Sequence, residues 1–401
     1  MAAPQKSRQF FYFDILIMKL FFFNPGCEIE VAAGKAVYSL PKYPALLERD
    51  LSVLPMCFAE KGDCVIVSPT RDVDFLDYWK DVFGCDFLTP DDRRLKEMEF
   101  DFFKPWGISP RILRLAEDYN FAQSYYDSPV GRWKDAHRLL FSRETSADLF
   151  RRMSTFDCYD DNVFVPLDQL PMIARTWDEA LDFFVRSKGG AVFKAIYGSS
   201  GRGVRILKNN EMTSNLENWI RSIIKSQGAI ACEHYFDKHA DFSCHYDIEG
   251  GKAKFVGVST FSTSETGSYI GSRVGRCSEL PDVKDLAVEK LAQLHISALN
   301  NSAYTSSYCG PLGIDCMVYR EDGQLKVNPC IEINCRHSMG RLAMEIEHLA
   351  GCNAEFVVFP NNAKPSVSAQ TPVFSNGKLV GGYLPLTPKD TMMFSAGVYC
   401  F

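Results

Sequence analysis

The sequence predicts an α/β chain: an open strand–helix layer at the N-terminal end and an α+β region after it. Three observations carry this expectation. Short apolar runs alternate with helical patterns from residue 18 to about 130, as an open α/β layer requires. Near the C-terminal end, Asp322-Gly323 separates two apolar runs, a hairpin signal. In Ile331-Glu332-Ile333-Asn334-Cys335-Arg336 apolar and polar residues alternate with the period of a strand.

The chain of 401 residues is 46% hydrophobic and 23% charged, enough for two or three domains with cores. Its net charge of −6 gives no general attraction to nucleic acid or to an anionic membrane. The 14 cysteines form no C-x-x-C pair and no zinc spacing. Cys64, Cys316 and Cys335 lie in apolar runs as small hydrophobes, and a cytoplasmic protein is expected. Phe10–Phe23 is too short and too interrupted by Asp14 and Lys19 to span a bilayer. Residues 1–17 are read as an extension outside the fold.

In the first layer, residues 18–124, strands are expected at Leu20–Phe23, Cys64–Val67 and Asp86–Leu88. Helices are expected at Pro44–Leu54, at Phe75–Phe83 ending on Gly84, and after a Ser109-Pro110 cap. No G-x-G-x-x-G follows the first strand, so nothing there marks a dinucleotide site. Residues 125–359 form the second unit. It holds helices at Ser146–Met153 and Trp177–Ser187, then the strand Ala191–Tyr197, with Lys194 inside it. The glycine-rich turn Gly198-Ser199-Ser200-Gly201-Arg202-Gly203 and a second strand follow. The turn lets backbone N–H groups approach an anion. No Gly-Lys-Ser/Thr closes it, so it is not a Walker A loop. Strands at Ile230–Phe236, from Asp241 and at Phe255–Thr263 lead to a polar loop, Thr266–Arg273. A helix is expected from Val283 to Ala298. Residues 360–401 are a proline-rich tail with a hairpin at Ser375–Lys378.

The hairpin around Asp322-Gly323 would bring Asp315, Glu332 and Asn334 to one point. Oxygen donors without sulfur or imidazole suit magnesium. Glu332 and Arg336 would otherwise form an ordinary cross-strand ion pair, and Lys194 would pair with an acid across the sheet. His234, His239 and His245 share no face and are read as surface or nucleotide-edge residues.

Taken together, Lys194 with the 198–203 loop, Glu233 with Asp241, Gly313-Ile314-Asp315, and Glu332-x-Asn334-x-Arg336 resemble the ATP-grasp superfamily. That superfamily includes D-alanine–D-alanine ligase, biotin carboxylase and many carboxylate–amine ligases. The resemblance implies a nucleotide held between two sheets. Lys194 would hold the α- and β-phosphates, and Gly198, Ser199, Ser200 and Gly201 would close over the triphosphate. Backbone groups of Glu233, His234, Tyr235 and Phe236 would meet adenine, and Asp241 the ribose. Asp315, Glu332 and Asn334 would bind two Mg²⁺ ions, or Mn²⁺. Arg336 would steady the transferring phosphoryl group. Arg143 stands where the family usually has a second nucleotide-binding lysine. The implied reaction is ATP-dependent joining of a small-molecule carboxylate and an amine through an acyl phosphate. A kinase on the same fold and a non-catalytic nucleotide binder are the alternatives, and an oligomer is left open.

Overall fold

The computed structural model describes residues 17–187, 189–198, 203–208, 211–263, 269–277 and 288–401. The first layer is a parallel sheet of β1 (Lys19–Phe22), β2 (Cys64–Ile66), β3 (Asp86–Leu88) and β4 (Phe102–Pro105), in the order β3-β2-β1-β4. Its strands are runs of apolar residues because helices cover both faces, and Leu20, Phe21, Val65 and Ile66 are all buried. The helix expected at Pro44–Leu54 begins at Lys42 and ends at Asp50, and a separate 3₁₀ turn covers Leu54–Phe58. Gly84 ends the helix Val73–Phe83 in the left-handed conformation that glycine adopts without steric cost. Ser109 caps Pro110–Ala116, its hydroxyl accepting the Ile112 N–H.

A second, antiparallel sheet holds β5 (Met172–Ala174), β6 (Ala191–Ala195), β7 (Val204–Leu207) and β8 (Ile230–His234), in the order β5-β8-β6-β7. The helices Trp177–Arg186 and Ser214–Gln227 lay Phe183, Phe184, Leu216 and Ile220 against its buried Phe193 and Cys232.

The largest sheet has nine strands, paired antiparallel: β9 (Asp237–Glu249), β10 (Lys252–Thr263), β11 (Tyr269–Arg273), β12 (Gly310–Glu321), β13 (Gln324–Asn334), β14 (Ala354–Pro360), β15 (Val373–Ser375), β16 (Lys378–Pro385) and β17 (Phe394–Cys400). Their order is β13-β12-β9-β10-β11-β14-β17-β16-β15. Asp322 (φ 49°) and Gly323 (φ 79°) turn the β12–β13 hairpin, and Asn376 (φ 50°) and Gly377 (φ 76°) the β15–β16 hairpin. Positive φ at both central positions matches the strands' twist.

Three expectations change. The stretch read as a polar loop contains β11, because Gly271–Arg273 pair with Glu355–Val357 of β14. The partner strand lies some eighty residues away, beyond the reach of local pattern. The C-terminal residues are not a loose tail either: β16 and β17 continue the sheet, and Cys352 is joined to Cys400 by a disulfide, where reduced thiols were expected. The other cysteines singled out, Cys64, Cys316 and Cys335, are buried free thiols. The helix expected from Val283 is described as Val288–Leu299, and residues 278–287 lie outside the described residues. No helix among the described residues is long and apolar enough to cross a membrane.

Buried Asp50 accepts backbone N–H bonds from Met392 (3.1 Å), Met393 (2.7 Å) and Phe394 (3.0 Å). It thereby ties β17 to the first layer. Asp50→Ala leaves three donors without their acceptor and is expected to lower the unfolding free energy by about 3 kcal/mol in urea titrations.

Candidate functional site

The hairpin brings its acids together. Asp315 on β12 lies opposite Glu332 on β13, and Gly313 opposite Asn334. Directly opposed residues of an antiparallel pair share a face. Asn334 donates to Asp315 Oδ2 at 2.9 Å, and the Ser243 hydroxyl of β9 donates to Asp315 Oδ1. Glu332 Oε1 accepts from Arg143 Nη2 at 2.7 Å. The sequence does hold a signal for Ser243, which was not among the expected residues. It lies two positions after Asp241, and strand alternation puts both on one face.

Arg336 lines the same cavity as Asp315, Glu332 and Asn334, and its guanidinium is already paired. The strand ends at Asn334, and the guanidinium turns back to Asn334 Oδ1 (2.9 Å) and to Glu28 on the helix Cys27–Ala33. Gly107 makes this approach possible: it bridges Arg336, and a Cβ there would lie 2.5 Å from Cys27 Sγ. Glu28 carries no sequence signal, because 308 residues separate it from Arg336.

Lys194 on β6 is buried and makes a 2.7 Å ion pair with Glu233 on β8, while its Nζ also lies 3.4 Å from the Ile331 carbonyl on β13. The amine thus bridges the two antiparallel sheets. The cross-sheet acid pair set against its nucleotide role is present. Buried Arg143, at the start of the helix Arg143–Met153, donates to Ala195 O (2.6 Å) as well as to Glu332. Its Nη2 is 3.5 Å from Gly198 O, where the glycine-rich turn begins. Ser199, Ser200 and Gly201 lie outside the described residues.

Two cavities of about 660 Å³ each flank this framework. Asp315, Glu332, Asn334 and Arg336 line one. His234, Tyr235 and Phe236 line the other, together with Gly190 and Tyr319. Asp241 lines neither and is held by Lys238 (2.6 Å) and Thr263 (3.1 Å). His245 is not a surface residue. It is buried against Ser259, and burial holds its imidazole down to about 3, so it is neutral.

Burial pushes the Asp315 carboxyl up to about 6. Facing Glu332 adds to this, and the Ser243, Arg336 and Asn334 contacts oppose it. Two acids crowded on one face are what a bound cation would relieve, and carboxylate oxygens suit a hard ion. No group of three or more His, Cys, Asp or Glu side chains placed to hold a metal occurs among the described residues, so the set depends on the Asn334 amide.

The raised Asp315 value has a testable consequence. Between its unfolded value of about 3.9 and about 6 the native state holds the extra proton, so unfolding free energy falls as pH rises through that window. In metal-free buffer, the stability of Asp315→Asn relative to wild type should rise by roughly 2 kcal/mol from about pH 4 to about pH 6.5, then level off. Paired urea titrations measure it.

No family profile matches the chain, and no curated protein does. Solved structures do. A biotin carboxylase from Campylobacter jejuni in complex with β-γ-ATP superposes with a TM-score of 0.50 at 13% identity, over 95% of this chain and 86% of that one. The biotin carboxylase domain dimer of Hydrogenobacter thermophilus 2-oxoglutarate carboxylase, with MgADP, ADP and bicarbonate, gives 0.50 at 14% identity, covering 96% and 86%. A Rhizobium etli pyruvate carboxylase gives 0.52 at 12% identity, covering 96% of this chain and 36% of that longer one. At such identities the likeness is one of fold. Together with the order of its sheets and hairpins, it gives this chain the ATP-grasp fold.

Proposed function

We propose that the protein is an ATP-dependent ligase that activates a carboxylate as an acyl phosphate and passes the acyl group to an amine. The observation that carries this reading is the meeting of Asp315, Glu332 and Asn334 with Arg143, while Lys194 reaches β13 from the smaller antiparallel sheet. Acids and cations so placed suit a triphosphate and its metal, since phosphoryl transfer depends on positioning and on neutralising oxygen charge.

Asp315, Glu332 and Asn334 are the residues to hold Mg²⁺ or Mn²⁺, one ion or two. A bound ion would neutralise charge on the phosphate oxygens and orient them. The Asn334 oxygen that would serve such an ion now accepts from Arg336. Arg336, still held by Glu28, lines the cavity and would pair with the transferring phosphoryl group. Lys194 would exchange Glu233 for the α- and β-phosphates. Arg143 would keep its charge near the turn after β6, and its planar fork suits paired oxygens. Glu233–Phe236 would meet adenine through their backbone, and Asp241 the ribose once Lys238 moves aside. The turn Gly198–Gly201 is assigned to the triphosphate.

In the reaction, a carboxylate oxygen attacks the γ-phosphorus and ADP leaves. The amine nitrogen then attacks the acyl carbon, phosphate leaves, and the nitrogen loses a proton. Water must be kept from the acyl phosphate between these steps.

Phosphate release that needs both an acid and an amine is the expected result with purified protein, ATP and Mg²⁺. A stable phosphorylated product with no need for an amine would replace the ligase by a kinase, and absence of Mg²⁺-dependent ATP binding would end both readings. Glu332→Gln is expected to lower turnover by on the order of 10²–10³-fold with little change in melting temperature. Lys194→Ala should chiefly weaken binding of an ATP analogue, by on the order of 10-fold or more, read by calorimetry.

A further inference from the structure

The cavity that begins at Asp315, Glu332 and Arg336 does not end there. It extends between the first layer and the large sheet, and Ile29, Leu47, Trp106, Val358 and Phe394 give it an apolar wall. The wall is built before any ligand arrives. Trp106 and Phe394 are buried, Trp106 edge-on to Phe23 at 4.7 Å and Phe394 edge-on to Tyr43 at 4.9 Å. Its position also marks a ligand site. Pro25, Gly26 and Trp106 follow the C-terminal ends of β1 and β4, and the order β3-β2-β1-β4 reverses between those two strands. Open parallel sheets bind ligands at that crevice.

Charge is confined to one end. Among the described residues lining the cavity, Asp315, Glu332 and Arg336 are the charged ones, and Arg336 is the one cation. A phosphate placed against the apolar wall would lose its hydration and gain no charged donor, a costly exchange. An aliphatic or aromatic group placed there would gain from leaving water.

We propose that the acid this protein activates is a carboxylic acid with an aliphatic or aromatic group and no phosphate. This rests on the ligase reading above. The carboxylate lies at the Arg336 end, where it receives the γ-phosphoryl group, and the apolar group fills the space beside Leu47, Trp106 and Phe394.

Hydroxylamine tests this without knowledge of the natural amine. It attacks an acyl phosphate to give a hydroxamate and free phosphate, which ferric ion reveals by colour. The full chain with ATP, Mg²⁺ and hydroxylamine is offered three classes of acid. They are apolar acids (L-leucine, L-phenylalanine, hexanoate, phenylacetate), phosphorylated acids (O-phospho-L-serine), and bicarbonate, for which the readout is phosphate release. Mg²⁺-dependent binding of a non-hydrolysable ATP analogue is measured in parallel by thermal shift.

Hydroxamate from one or more of the apolar acids, and none from the phosphorylated acid, is the expected result. Leu47→Arg should then raise KM for the accepted acid on the order of tenfold or more, with the ATP-analogue shift retained. Phe394→Ala, which enlarges the cavity, should move preference toward bulkier acids. If the analogue binds but only the phosphorylated acid, only bicarbonate or no acid is turned over, the proposal about the acid is overturned and nucleotide binding stands. If the analogue does not bind, the ligase reading falls and takes this proposal with it.

Discussion

The structure depends on keeping two carboxylates, Asp315 and Glu332, side by side on adjacent strands. Two acids on one partly buried face repel each other and lose hydration, so the arrangement persists only if surrounding groups compensate. Those groups come from separate parts of the chain: Ser243 from β9, Asn334 from β13 and Arg143 from a helix almost two hundred residues earlier. Each supplies a hydrogen or a positive charge to an acid oxygen.

The cations obey a related constraint, since each has a protein partner. Lys194 pairs with Glu233, and Arg336 with Glu28 and Asn334. A buried charge cannot wait unpaired in a low-dielectric site. Glu28 also makes the first layer more than a platform, because it sets the direction of an arginine that belongs in sequence to the hairpin. Gly107 belongs to the same junction, where a side chain of any size would push the helix Cys27–Ala33 away from Arg336.

Much of this was legible from residue order. Local rules located the β12–β13 hairpin from Asp322-Gly323, the facing acids from strand alternation, and Lys194 as a buried cation. The cap at Ser109 and the stop at Gly84 were equally readable, because caps and turns are settled by a few neighbouring residues. The limits have the same cause. β11 pairs with a strand some eighty residues away, and the strands after Phe359 complete a sheet that begins at Asp237.

The sequence by itself determined which residues alternate, where the chain turns, and which side chains could bear charge on a strand, since these follow from steric and periodic constraints within a few residues. Only the tertiary structure decided that Arg336 leaves the strand for Glu28, that Cys352 meets Cys400, and that an apolar wall from Leu47 to Phe394 faces the acids. Those facts depend on packing between segments from about fifty to more than three hundred residues apart. Their pairing is fixed by burial of surface and satisfaction of polar groups across the whole molecule, which no local window contains.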